Sequence, residues 1–172
     1  MLVVVSDSSP IIYLTRLGLL PLLPKLHESV VVPQAVWDEV AVGGKGRPES
    51  DNLKRAVSDG WIHIKTPSAS AASLGAGASQ LGRGEVEAIL LARELQAILL
   101  TDDSDGRALA EQLGVKVTGT VGILIRAKTE RHITAVKPLL DRLRTETNFR
   151  MSERLYQEAL TEGGEQPSQP RN

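Results

Sequence analysis

Asp102, Asp103 and Asp105 fall within four positions of the stretch LLTDDSDGRALA (Leu99–Ala110), directly behind an apolar run. Carboxylates this crowded raise the cost of one another's ionisation unless something positive sits among them. Three further acids occupy comparable places. Asp7 follows the apolar run LVVVS, Glu39 lies in PQAVWDEVAV, and Glu85 opens GEVEAILLARE. The chain has no Cys, and its three His (His27, His63, His132) are widely scattered. A thiolate site is therefore excluded and a zinc site disfavoured. A set of carboxylates suits a hard, oxygen-loving ion, Mg²⁺ or Mn²⁺. Such an ion activates water for attack on a phosphodiester and stabilises charge on the leaving oxygen.

Each acid also has a plainer use. Asp7 could be a turn residue, Asp102 or Asp103 a helix N-cap, and Glu85 a first-turn charge favoured by the helix dipole. Helical spacing sets Glu39 at the border of a buried stripe, three residues from Val36 and four from Ala35. Glu85 shares a face with Ala88, Ile89 and Ala92 and so points inward, whereas Glu87 shares one with Leu90, Leu91 and Glu94 and points to water. Ser6, Ser9 and Thr101 could orient a water or a phosphate, or could simply form turns.

The elements that must position these residues alternate between β-branched runs and helical patterns. LVVVS, SVVVP, WIHIK, AILL and VKV read as five strands. Pro10 suits the first position of a helix running through Leu17, and Pro33 opens a helix that Gly43-Gly44 stops. Another helix follows GGKGRPES, and five more are expected at about 85–95, 104–113, 121–128, 135–144 and 152–161. Alternation of this kind implies a parallel sheet with helices on both faces. Sites in such sheets form outside the carboxyl ends of the strands, where Asp7 and the Asp102-Asp103 pair lie. The stretch TPSASAASLGAGASQLGRG reads as a mobile loop. One domain is expected over residues 1–162, with a disordered tail at 163–172.

Several functions fail on detail. The outline of a phosphate loop from Gly77 to Gly82 continues with Arg83 and Gly84 instead of Lys and Ser/Thr. No G-x-S-x-G nucleophile elbow occurs. A calcium loop starting at Thr101 would put Gln112 where the bidentate Glu belongs. No apolar run spans a membrane, and the start MLVVVSDSSP lacks the basic region of a signal peptide, so a cytoplasmic protein is expected. The formal charge of −1 gives no global pull on nucleic acid. Between Arg126 and Arg154, however, eight Lys and Arg face four Asp and Glu. Arg142 and Arg144 in this stretch are candidate RNA-phosphate contacts, and an ordinary solvated helix face is the equal alternative.

VVSDSSPIIYL, VVVPQAVWDEV, LGRGEVEAILLARE and ILLTDDSDGRALAEQLGVKVTGTVGIL, in this order, resemble the PIN-domain nucleases, in particular bacterial PIN proteins related to VapC-type toxins. The resemblance extends from about Leu2 to Leu160. It implies a three-layer α/β/α fold with a central parallel sheet. It also implies a catalytic and metal-binding set at Asp7, Glu39, Glu85 and Asp103, with Asp102 beside it. Glu85 stands where the family usually has Asp. The implied function is a Mg²⁺- or Mn²⁺-dependent ribonuclease acting as the toxin of a toxin–antitoxin pair. Its partners would be RNA, a small cognate antitoxin protein and possible second copies of the chain, with no membrane. Two alternatives compete: a PIN-like module that binds protein or RNA without cutting, and a doubly wound phosphoaspartyl protein. The latter needs a catalytic Lys after a late strand, and Lys116 inside VKV does not obviously serve.

Overall fold

The computed structural model describes residues 2–166, which group into two compact units that divide between Thr120 and Val121. In the first unit, five strands form one parallel sheet: β1 (Val3–Ser6), β2 (Ser29–Pro33), β3 (Ile62–Lys65), β4 (Ile98–Leu100) and β5 (Val117–Thr118), in the order β3-β2-β1-β4-β5. All five sequence-read strands are present, with β3 at an edge. β5 is shifted by two residues to Val117–Thr118, where its backbone meets Leu99 and Leu100.

The helices of this unit are α1 (Ser8–Arg16), α2 (Leu22–Leu26), α3 (Gln34–Trp37), α4 (Pro48–Ser58), α5 (Arg83–Glu94) and α6 (Ser104–Gln112). Parallel strands require right-handed crossovers. The β1–β2 and β2–β3 connections run one way across the sheet, and the β3–β4 and β4–β5 connections run the other way. α1 to α4 and α5 to α6 therefore take opposite faces, giving a three-layer α/β/α sandwich. The period-2 pattern of the strands serves both layers. Val5, Val31 and Leu99 form a row in register on the α5–α6 side, packed with Ile89, Leu91 and Ala110.

Three local expectations need correction. α1 starts at Ser8, two residues before Pro10, because Asp7 already occupies the N-cap position. α2 was not read, since its LLPKL is short and carries a proline. The Gly- and Ser-rich stretch is not a bare loop. It forms two short 3-10 turns, Ala71–Leu74 and Ala76–Gln80, whose Leu74 and Ala78 are buried in the core beside α5 and α6. The backbone amides of Ser68 and Ala69 both donate to Glu94 at 2.8 Å, fixing its start.

The second unit holds α7 (Thr120–Thr129, whose first residue belongs to the first unit), α8 (Lys137–Glu146) and α9 (Glu153–Glu162). Tyr156 ties α9 to α8 by donating its hydroxyl to Asp141 at 2.7 Å. Within the tail expected from Gly163, Glu165 accepts from the amides of Val136 and Lys137 and pairs with Lys128 at 2.6 Å. The remainder of that tail, 167–172, lies outside the described residues. No helix among the described residues is long and apolar enough to cross a membrane.

Candidate active site at the carboxyl edge of the sheet

The strand order reverses at β1, so the crevice between the carboxyl ends of β1 and β4 is the switch point where ligands of open α/β sheets sit. Asp7 occupies it. Its backbone amide donates to Leu100 at 3.1 Å, stitching the two strand ends together. The Thr101 hydroxyl donates to Asp7 Oδ2. The carboxyl is only 3 % exposed, and its second oxygen, Oδ1, has no hydrogen-bond partner. Burial pushes the Asp7 pKa up to about 7, against the opposing Thr101 bond and the backbone amide of Ser9, and with help from the negative charges of Asp102 and Glu85. An orphaned buried oxygen on a carboxyl poised near neutrality is a common mark of a working group.

Asp7, Ser9, Glu39, Arg83 and Glu85 line one cleft of about 310 Å³. Glu39 sits on a π-helical turn, Asp38–Val42, that continues α3. The extra residue of such a turn is a frequent feature of functional sites. Glu39 itself is exposed and lines the cleft, next to the buried Ala35, Val36 and Val40. Ser8 donates to Glu39 Oε2 at 2.7 Å. Gly84 lets the first turn of α5 come close: a Cβ there would lie 3.2 Å from Val36 and 3.6 Å from Glu39 Oε2. Glu85 reaches back to the amide of Gly82 at 2.5 Å, half of a capping box. It thus combines the cleft position with the first-turn role that sequence left as its alternative.

The two adjacent acids after β4 separate cleanly. Asp103 is the N-cap of α6 and accepts from Gly106 at 2.6 Å, the plainer of its two readings. Asp102 turns the other way. Its two oxygens accept from the amide of Thr120 at 2.8 Å and from its hydroxyl at 2.5 Å. Burial raises the Asp102 pKa, while the Thr120 bonds and the charge of Arg107 pull it back. Gly119 is required here, because a Cβ would lie 2.8 Å from Asp102 Oδ1. Ser6 is fully buried and donates to the Asp7 carbonyl at 2.9 Å, a backbone-fixing bond.

Among the described residues, no three Asp, Glu or His side chains come close enough to hold a metal ion between them. The crowding at Asp102 and Asp103 is relieved by the protein's own donors. Ser8, Gly82, Thr101, Gly106 and Thr120 each supply a hydrogen bond to one acid. The chemistry of the donor set still suits a hard divalent cation, since the cleft walls carry three carboxylates and Asp7 retains an oxygen with no partner.

Glu87 departs from expectation. It is buried, not solvated, accepting from the amide of Ala35 and from Arg83, both at 2.9 Å. It thereby locks α5 to the start of α3, a job that helix periodicity cannot reveal because the partner is 52 residues away. Ser8 and Thr120 were missed as well. In both cases the signal is a hydroxyl next to a turn, which sequence cannot distinguish from ordinary turn chemistry. Arg142 pairs with Glu146 at 3.0 Å, and Arg144 pairs with Glu153 at 2.8 Å while stacking 4.1 Å over the Tyr156 ring. An RNA phosphate would have to compete with a carboxylate for either one.

Lys116 precedes β5 and lines a cleft with Leu2 and Gln96 at the amino edge of the sheet, the end opposite Asp7. That placement removes the support for a phosphoaspartyl site, which needs its lysine beside the acid.

A family model described as a PIN domain matches residues 3–165. No curated protein matches the chain. Among solved structures, a PilT N-terminus domain protein, SSO1118, from the hyperthermophilic archaeon Sulfolobus solfataricus P2 is 19% identical. The match covers 88% of this chain and 100% of that one, with a TM-score of 0.46. PIN domains are generally nucleases and generally bind divalent metals. The chain belongs to the PIN-domain family.

Proposed function

We propose that the chain is a Mg²⁺- or Mn²⁺-dependent endoribonuclease whose reaction takes place in the Asp7–Glu39–Glu85 cleft. The observation that carries this reading is Asp7. A carboxyl held at the switch point, with one oxygen anchored by Thr101 and the other without a partner, is prepared to take a ligand. Asp7, Glu39 and Glu85 line the cleft and would supply ligands to the cation, their side chains drawing closer together than they stand here. Asp102 and Asp103 lie outside the cleft lining and would add negative charge near it. When bound, such an ion neutralises charge on the phosphodiester and makes water a competent nucleophile at neutral pH. The chain's own residues supply the rest. Thr101 fixes the Asp7 carboxyl, Ser8 orients Glu39, and the α5 amino end positions Glu85. Arg83 brings a cation to the wall of the cleft, where an RNA backbone would otherwise meet only negative charge. The RNA would share Arg83 with Glu87, 2.9 Å from it.

The toxin role, with a small antitoxin protein as partner and a possible homodimer, follows from the resemblance to VapC-type proteins and belongs to the same proposal. Expression of the chain should arrest growth, Asp7→Asn should relieve the arrest, and unimpaired growth would remove the toxin role. A second reading has its own support: Glu39, Glu85, Asp102 and Asp103 each accept a hydrogen bond from the protein itself, as expected of a module that binds without cutting. RNA cleavage on adding Mn²⁺ separates the two readings.

A further inference from the structure

Glu39 is a wall of two clefts. Beyond it lies a smaller one, lined by Ile12, Arg16, Val40, Arg47 and Glu49. Glu49 is 5 % exposed, accepts from Arg16 Nε at 2.7 Å through Oε1, and leaves Oε2 buried with no partner. Burial works to raise its pKa, yet its backbone amide, Arg16 and Arg47 overrule this and hold the carboxyl below the usual range. It is therefore an ionised acceptor with an unused oxygen, a costly arrangement that a ligand's N–H would relieve. Arg47, the N-cap residue of α4, is exposed beside it. Ile12 and Val40 add apolar surface.

A ligand that satisfies all three features needs an N–H donor, a negative group and a flat apolar body. A ribonucleotide has each, and in a cleft of about 90 Å³ only the edge of its base would enter, with its sugar and phosphate outside beside the exposed Arg47. Because Glu39 is common to both clefts, a nucleotide here would adjoin the one being cut. We propose that this cleft is a subsite for the nucleotide next to the scissile phosphate. Arg47 takes its phosphate, and Glu49 reads an exocyclic amine on its base. Uracil is disfavoured, since its one N–H lies between two carbonyl oxygens that would face the Glu49 carboxylate. Cytosine, of the same size, presents its N4 amine instead, and a carboxylate is the natural acceptor for that group. The inference rests on the ribonuclease reading above.

The test uses full-length Asp7→Asn protein, so that binding is measured without cleavage, and fluorescence anisotropy with oligocytidine and oligouridine of equal length at pH 8. Oligocytidine should bind about tenfold more tightly. Glu49→Gln in that background should bring the two affinities to within about twofold. Arg47→Ala should weaken both equally and reduce the salt slope by about one. Arg47 is exposed, so this variant retains the fold and decides the matter even if Glu49→Gln does not fold. Equal affinities for the two oligonucleotides, an unchanged preference in Glu49→Gln, or an unchanged salt slope in Arg47→Ala overturns the subsite. If the wild-type chain still cuts RNA with Mn²⁺ in that event, the nuclease reading stands alone. If it neither binds nor cuts either oligonucleotide, both fall.

Discussion

Thr101 donates its hydroxyl to one oxygen of Asp7 across the β1–β4 seam, and the other oxygen of that carboxyl is buried without a partner. One contact thus fixes the group, while the fold leaves half of it unsatisfied. Polar groups left in this state reduce stability, and proteins tolerate the loss where function requires it.

This has a consequence for pH. Asp7 is raised from 3.8 to about 7 in the fold. A carboxyl raised on folding contributes stability below its unfolded pKa and loses that contribution as the pH rises through the folded value. The displacement corresponds to on the order of 4 kcal/mol at alkaline pH. In chelator, Asp7→Asn should therefore melt above wild type at pH 8, with the gap shrinking toward pH 4. Thermal melts across that range check it. A variant that melts lower at pH 8 would make Asp7 a structural turn residue.

Glu85 and Glu87 are two residues apart and should behave oppositely. Glu85→Gln alters a cleft wall and should cut RNA cleavage by about a hundredfold or more, with little change in melting temperature. Glu87→Ala strands the buried amide of Ala35 and should cost about 1–3 kcal/mol in stability. Its cleavage per folded molecule should stay near wild type. Denaturant titration and a cleavage assay on both variants distinguish them.

Thr120→Val removes the hydroxyl bond to Asp102 while keeping the backbone one. The Asp102 pKa, already raised by burial, should rise further. The resulting loss, about 1–2 kcal/mol, should be largest above neutrality and fade as Asp102 protonates in acid. Melting the variant and wild type at pH 5 and pH 8 measures it.

What sequence made legible was whatever repeats locally. Short apolar runs marked all five strands, and their alternation with helical patterns implied the parallel sheet. Asp7 and the Asp102-Asp103 pair could be placed at the carboxyl edge because strand ends carry that information themselves. Side-chain direction was another matter. Periodicity sent Glu87 to water, yet the amide of Ala35, brought near only by folding, draws it inward. At Asp103 the plainer N-cap role is the one observed. Of the crowded acids that suggested a cation, Asp102 and Asp103 accept from Thr120 and Gly106, two donors that no charge count would single out.

Bound metal should register in stability too. Mn²⁺ should raise the melting temperature of wild type more than that of Asp7→Asn, because ligands that bind only the native state stabilise it by mass action. Equal shifts in both proteins would mean that Asp7 contributes nothing to binding.

The most direct test is cleavage of single-stranded RNA by the purified chain, in Mn²⁺ and in EDTA, beside Asp7→Asn at equal concentration. Cleavage in Mn²⁺, its loss in EDTA, and a fall of about a hundredfold or more in the variant are expected. Undiminished cleavage by Asp7→Asn, or full activity of wild type in EDTA, would contradict an Asp7-centred, metal-dependent site.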